Sequence, residues 1–198
     1  MPISCLTLFS RNSRLPIMAK WSACFIVLLT VWTASVIYSR AYGETQTATD
    51  LQAKGNSLML KENMMRDLFD RWERVWHEGQ YGLIPDCIGP NYIRHDEAGD
   101  RTVTREAYTA EIAKTRQERP HLQFVVYDHT FEGNRAWFRF TLKWTDAKTG
   151  EARTRAGVQV YRIEAGKLAE TWLMFQPIGS AWTDAVAQEH WTSPPPIK

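Results

Sequence analysis

The sequence of 198 residues predicts one α+β domain behind an N-terminal leader, and three observations support this prediction. Two segments with the apolar spacing of amphipathic helices come first. Four segments in which apolar and polar residues alternate come after them. Short breaks that each contain glycine separate these four segments. Helices followed by closely connected strands favour an α+β arrangement over alternating βα units.

The first 43 residues have the layout of a secretory signal. Their charged residues are all basic: Arg11, Arg14, Lys20 and Arg40. An uncharged stretch spans 21–39, and small residues after it predict cleavage after Ala41 or after Gly43. We therefore expect a periplasmic or secreted protein. An uncleaved membrane anchor stays open, because the 19 uncharged residues nearly span a hydrocarbon layer about 30 Å thick.

The charge balance after the leader excludes one class of partner. From Glu44 onward, 20 basic residues (24 minus the 4 in the leader) stand against 22 acidic ones. Nothing in this balance indicates nucleic-acid binding, and we expect membrane contact only through the N-terminal segment. No spacing of His, Cys and carboxylates resembles a metal site, so we expect neither a metal nor another cofactor.

The helical part of the domain follows a polar segment. Residues 44–56 lack an apolar stripe, which predicts a flexible linker before a domain at 57–182. In the first helix, apolar residues repeat at spacings of four, three and four: Met65, Phe69, Trp72 and Trp76. The segment "YGLIPDCIGP" then predicts a short helix or turn, and "NYIRHD" an extended piece. A second helix has Thr104 as its N-cap and ends at Pro120.

The strand-like segments are four in number: 122–131, 135–145, 154–163 and 168–176. Their short connections predict an antiparallel meander, because parallel neighbours need long crossover connections. In the second segment Ala136, Phe138 and Phe140 alternate with polar residues, so one face of the sheet is expected to be apolar. The proline-rich composition of residues 183–198 predicts a loose tail.

Four sequence segments occur in a recognisable order between about Leu68 and Gln176: "NYIRHD", "TREAYTAEIAKTRQERPHLQF", "YDHTFEGNRAWFRF" and "GVQVYRIEAGKLAETW". This order resembles the SnoaL-like family of the nuclear-transport-factor-2-like superfamily. The resemblance implies a cone-shaped half-barrel, in which a curved antiparallel sheet wraps on N-terminal helices, commonly in a homodimer. It also implies an apolar pocket for a small apolar molecule. The family includes cyclases, isomerases, relatives that hydrolyse epoxides, and domains without a known reaction.

The resemblance also directs attention to the last strand. In polyketide cyclase members an aspartate near its end serves as acid and base, and the matching position here is Gln176. A carboxamide does not titrate, so Gln176 orients a ligand but accepts no proton. His95 in "NYIRHD" is then the best candidate for the acid or base, because its reference pKa of about 6.5 suits proton transfer.

Two carboxylates are candidates for orienting His95. Asp128 shares strand parity with the core positions Phe124 and Val126, and Glu170 shares parity with Trp172. A structural role instead of a catalytic one stays open for His95, Asp128 and Glu170. His95 would then bond to backbone at a strand end, Asp128 would face solvent, and Glu170 would sit at a pocket rim with His95, an arginine or a water as partner.

The domain has more large aromatic residues than a small core needs, so these residues are candidates for lining the pocket together with Gln176. The pocket candidates are Trp72, Trp76, Tyr92, Tyr108, Trp144, Tyr161, Trp172 and Gln176. Arg94, Arg116 and Arg139 are candidates for binding an anion, although such residues more often lie in solvent. Two functions therefore stay open. One is a binding domain without turnover, and the other is a cofactor-independent isomerase, cyclase or hydrolase with His95 as acid or base.

Overall fold

The computed structural model describes residues 49–183 and 186–194, so the expected leader lies outside the described residues. The described residues up to Asn56 and those from Ser57 belong to two different units. Residues 49–56 are helical, whereas the sequence analysis expected a flexible linker. Leu51, Gln52, Ala53 and Lys54 are good helix formers and favour a helix without any apolar stripe. None of the helices in the described part of the chain has the length and apolar character to span a membrane.

The first helix of the domain, α1, covers residues 57–78. The predicted apolar spacing is its buried face, to which Phe69 and Trp72 contribute rings that are 0% and 1% exposed. Gly79 follows with a φ of +72°, a left-handed conformation that glycine adopts without strain and that ends a helix. The end of this helix therefore agrees with the sequence.

Short elements connect α1 to the second long helix. They are a 3-10 turn at Tyr81–Leu83, α2 at Ile84–Cys87, β1 at Ile88–Asp96 and β2 at Gly99–Thr104. Strand β2 was not predicted, because "GDRTVT" has no apolar alternation and forms a hairpin with β1 that is exposed along much of its length. Helix α3 covers Arg105–Glu118, and Thr104 Oγ1 accepts a hydrogen bond from the Ala107 N–H at 3.2 Å. Thr104 is thus the predicted N-cap.

Four further strands complete the sheet: β3 at Gln123–Glu132, β4 at Arg135–Thr145, β5 at Ala152–Glu164 and β6 at Lys167–Phe175. Neighbouring strands among these four pair in the antiparallel sense, as predicted. The six strands are ordered β2-β1-β6-β5-β4-β3, and β1 pairs in parallel with β6. The sheet is therefore mixed, curved and unclosed, with β2 and β3 at its edges.

The core lies between the two long helices and the inner face of the sheet. The Phe69 ring lies 4.7 Å from the Phe138 ring and 5.1 Å from the Tyr161 ring, centroid to centroid. Trp72 donates a hydrogen bond to the Tyr161 hydroxyl at 3.3 Å. Trp76 contacts Phe124 at 5.1 Å. The predicted wrapping of the apolar face around the helix that carries Trp72 and Trp76 is confirmed.

The described part of the C-terminal tail packs on the domain, although the sequence predicted a loose tail over 183–198. The Gln188 N–H donates to the Val126 carbonyl at 2.8 Å, and the Trp191 indole donates to the Phe124 carbonyl at 3.1 Å. Trp191 is only 4% exposed. The physical reason is that β3 is an edge strand, whose unpaired carbonyls and apolar border favour a cover.

Candidate functional site

A cavity of about 280 Å³ lies between the long helices and the inner face of the sheet. Its apolar wall is formed by Trp76, Leu122, Phe124, Leu142, Trp144, Leu173 and Phe175. Its polar groups are Arg94, Asp96, Tyr108 and Gln159 inside, and partly exposed charged residues around the opening. We call the latter the rim, which consists of Glu97, Arg101, Glu111, Arg119 and Arg155.

Arg94 is a buried cation beside this cavity, with 5% of its surface exposed. Strand alternation in β1 turns Arg94 and Asp96 inward together with Tyr92. Arg94 Nε and Nη2 donate to Asp96 Oδ2 at 2.9 and 2.6 Å. Arg94 Nη1 donates to the Tyr108 hydroxyl, and the guanidinium carbon lies 4.4 Å from the centre of the Tyr108 ring. Asp96 in β1 and Tyr108 in α3 therefore hold this guanidinium in one orientation.

Asp96 is held ionised by its surroundings. Its Oδ2 also accepts from Arg101 Nη1 at 3.2 Å, and its Oδ1 accepts from the Ala98 N–H at 2.9 Å. Burial raises the pKa of Asp96, but the bonds and charge of Arg94, the Ala98 N–H and Arg101 together place the pKa below its usual value. A carboxylate accepts about four hydrogen bonds, so Asp96 has little capacity left for a proton from a ligand.

Two of the rim arginines, Arg101 and Arg155, are paired with carboxylates. Arg101 donates to Glu111 at 2.6 Å, and Arg155 binds Glu97 through two bonds of 2.7 and 2.5 Å. The Arg155 guanidinium lies 4.7 Å from the centre of the Phe175 ring. Below the rim, Gln159 donates to Thr171 Oγ1 at 3.0 Å, so its amide is held by the neighbouring strand.

The structure brings His95 and Glu170 together, but on the outer face of the sheet. His95 Nε2 lies 2.8 Å from Glu170 Oε1, and Nδ1 lies 2.8 Å from Asp100 Oδ1. Arg162 Nε donates to Glu170 Oε2 at 2.7 Å. The Trp172 ring stacks on His95 at 5.1 Å with 6° between the planes. The hydrogen bonds from Glu170 and Asp100 raise the pKa of His95, so the imidazolium is favoured.

Neither His95 nor Glu170 lines the cavity, and strand alternation gives the reason. In β6 the residues that face the cavity are Leu173 and Phe175, so Glu170 and Trp172 point to the opposite side. In β1 the same alternation separates His95 from Arg94. The hydrogen bond with His95 is the first cause of the lowered pKa of Glu170, against the effect of burial, and Arg162 lowers it further.

Asp128 also lies away from the cavity. The pairing of β3 with β4 shifts between Val126 and Asp128, which is a β-bulge, so the parity with Phe124 and Val126 breaks at this point. Asp128 Oδ2 accepts from Arg139 Nε at 2.9 Å and from Nη2 at 2.6 Å across the strand pair. The bulge is the reason that sequence parity assigned Asp128 to the wrong face.

The predicted pocket residues divide into three groups. Trp76, Tyr108 and Trp144 line the cavity. Trp72, Tyr92 and Tyr161 are at most 2% exposed and belong to the core cluster without lining the cavity. Trp172 lies on the outer face, and Gln176 follows the end of β6 as an exposed residue. The Gln176 N–H donates to the Ala156 carbonyl at 2.9 Å.

Sequence reasoning missed the polar centre of the cavity. The sequence favours solvent for Arg94 and singles out no role for Asp96. Tyr92, Arg94 and Asp96 alternate at spacings of two in "NYIRHD", and this alternation is the signal that could have found them. Strands β3 and β4 with their connections separate Arg119 from Arg155 in sequence, so no local pattern indicates that they meet at one rim.

A helical layer on a curved, unclosed sheet around an interior cavity defines an α+β protein of the nuclear-transport-factor-2-like class. The family model for the SnoaL-like domain matches residues 69–171, which are 103 of the 198 residues. The chain belongs to the SnoaL-like family.

Solved structures with low sequence identity share this fold. A protein from Acidithiobacillus ferrooxidans is 18% identical with a TM-score of 0.52, over 57% of this chain and 88% of its own. TsrD from Streptomyces laurentii is 20% identical with a TM-score of 0.52, over 58% and 89%. A SnoaL-like polyketide cyclase from Agrobacterium tumefaciens is 14% identical with a TM-score of 0.51, over 56% and 90%. No curated protein matches the sequence.

Proposed function

We propose that the domain binds a small, largely apolar molecule in the cavity without converting it. The observation that carries this proposal is the aromatic wall of the cavity around one buried guanidinium, Arg94, whose orientation is fixed by Asp96 and Tyr108. Ligand sites are typically apolar with a few convergent polar groups, and their volumes begin at about 300 Å³. The volume of about 280 Å³ suits a ligand of one or two rings.

The absence of turnover is inferred from the state of the groups that line the cavity. A general base needs a free lone pair and a pKa near the working pH. Asp96 does not meet the second condition because its pKa is lowered, and its oxygens already accept four hydrogen bonds from two arginines and a backbone N–H. Gln159 does not titrate. The alternative enzyme, with His95 as acid or base, gains no support from the geometry because His95 lies on the outer face.

Two neighbouring residues of β6 test the binding proposal. Leu173 lines the cavity, whereas Met174 is 67% exposed on the outer face. A thermal-shift screen of small apolar compounds would supply a ligand, and calorimetry its affinity. Leu173→Trp is expected to weaken binding by at least about tenfold, or 1.4 kcal/mol, because the indole occupies the ligand volume.

Met174→Trp adds the same side chain one residue away and serves as the matched control. It is expected to leave the affinity unchanged, because its side chain does not reach the cavity. Equal affinities in the two variants would contradict binding in this cavity. Turnover of the ligand in the wild-type protein would replace the binding function by the enzymatic alternative.

The binding domain is proposed to act outside the cytoplasm as a homodimer. The acid-free leader supports export, with cleavage after Ala41 or Gly43. The outer sheet face supports association, because Trp137 is 41% and Met174 is 67% exposed there. Native mass spectrometry of the exported protein is expected to give twice the mass of a chain that begins at Tyr42 or Glu44. An intact N-terminus contradicts cleavage, and a monomer mass contradicts the dimer.

A further inference from the structure

The charges that line the cavity do not cancel. In the described part of the chain, four arginines line it, Arg94, Arg101, Arg119 and Arg155, against three carboxylates, Asp96, Glu97 and Glu111. Arg94 and Arg101 share Asp96, and Arg101 also binds Glu111. Arg155 takes both oxygens of Glu97. These pairs leave one positive charge in excess at the cavity.

The excess charge belongs to Arg119. Within residues 49–183 and 186–194, the other three arginines that line the cavity each form an ion pair with a carboxylate, and Arg119 forms none. Its guanidinium lies over the Trp144 ring, 5.3 Å from the centroid. The hydrogen bonds from Arg155 are the first cause of the lowered pKa of Glu97, and the charge of Arg119 contributes to it. Both oxygens of Glu97 are already bound by Arg155. Arg119 therefore keeps N–H donors available for another acceptor.

The position of Arg119 relates these donors to a bound ligand. Trp144 lines the cavity, and the Arg119 guanidinium lies over its ring. A ligand that packs on this wall therefore has its edge near Arg119. A guanidinium held by an aromatic ring presents a planar fork of donors, which matches the two oxygens of a carboxylate. The helix dipole opposes an anion here, because Arg119 lies at the C-terminal end of α3, so the attraction has to come from the guanidinium itself.

We propose that the ligand is a small aromatic monoanion, with its ring in the cavity and its carboxylate at Arg119. This inference rests on the proposed binding function and specifies the class of ligand. The ring replaces water at the apolar wall, and the carboxylate neutralises Arg119, which has no ion-paired carboxylate among the described residues. A ligand with an ammonium group would instead add to the excess charge.

The test uses two probes of the same shape, 2-naphthoate and the neutral 2-naphthamide, with the mature chain and two variants. Arg119→Gln removes the unpaired cation. Lys114→Gln removes a cation from the same helix, at a side chain that is 74% exposed and outside the cavity. A hydrogen bond between charged groups contributes more binding free energy than a neutral one, and partial exposure to solvent reduces this contribution. Arg119→Gln is therefore expected to weaken naphthoate binding about tenfold.

The expected pattern has three further parts. Naphthamide binds more weakly than naphthoate to the wild type and is unaffected by Arg119→Gln. Lys114→Gln changes neither affinity. Salt weakens naphthoate but not naphthamide. Equal affinities of the two probes, or an unchanged naphthoate affinity in Arg119→Gln, would overturn the anion inference and leave the binding function intact. Failure to find any ligand sensitive to Leu173→Trp would overturn both.

Discussion

Replacing Asp96 with alanine is expected to lower the free energy of unfolding by about 3–5 kcal/mol, because it leaves a buried guanidinium without its carboxylate. Arg94 is 5% exposed, and after the change only the Tyr108 hydroxyl would accept one of its N–H groups among the partners it has now. Urea unfolding of the two proteins at pH 7 measures the difference. Because ligand binding depends on the orientation of Arg94, the variant is also expected to lose affinity.

Two controls separate this effect from a general sensitivity of the strand pair. Asp100→Ala removes a carboxylate that is 82% exposed and pairs with His95, and its cost is expected to stay below about 1 kcal/mol. The double variant Arg94→Met with Asp96→Leu removes both charges and is expected to recover most of the stability. A loss in Asp96→Ala no greater than in Asp100→Ala would contradict the buried ion pair.

The pH dependence of stability has a definite sign for Asp96. The folded pKa of Asp96 lies below the ordinary value of 3.8, so the unfolded state takes up a proton first as the pH falls. The stabilisation from ionised Asp96 is therefore complete above about pH 3.8 and is lost as the pH falls from there through the folded pKa. The double variant is expected to lack this component of the acid-induced loss.

The sequence predicted the fold well because the fold depends on periodicity. The spacing of Phe69, Trp72 and Trp76 fits only a helix with one buried face, and the alternation in β4 fits only a strand with one apolar face. The missed strand β2 has no such alternation. The composition of the tail likewise gave no indication that Gln188 and Trp191 bind the segment to the edge of the sheet.

The site was harder to predict because it depends on which face of each strand is buried. In β6 both faces carry large apolar residues, Trp172 and Met174 on one and Leu173 and Phe175 on the other. Parity groups these residues correctly but does not say which group is inside, and a shift of one residue exchanges the faces. The outer-face tryptophan is explained by its stacking on His95, which lies opposite it where β1 pairs with β6, two strands that are far apart in sequence. The bulge before Asp128 had no local sign either.

The second large effect is expected at Trp191. Trp191→Ala should lower the free energy of unfolding by about 3–5 kcal/mol, because it empties a buried aromatic site. The indole is 4% exposed and contacts the rings of Phe124 and His77 at 5.5 and 5.6 Å. Trp137→Ala is the matched control. Its ring is 41% exposed on the outer face, and its replacement should cost less than about 1 kcal/mol in the monomer.

A second measurement distinguishes loss of the packing of the C-terminal segment on β3 from a change elsewhere in the domain. His77 Nε2 accepts the Phe124 N–H at 3.0 Å, and burial is the first cause that lowers its pKa from 6.5 to about 4. Removal of the Trp191 ring admits water to this imidazole, so an NMR titration of Trp191→Ala should show the pKa of His77 rising toward 6.5. Trp137→Ala should leave it near 4. An unchanged pKa of His77 in Trp191→Ala, together with a small change in stability, would mean that the tail does not cover the edge of β3 in solution.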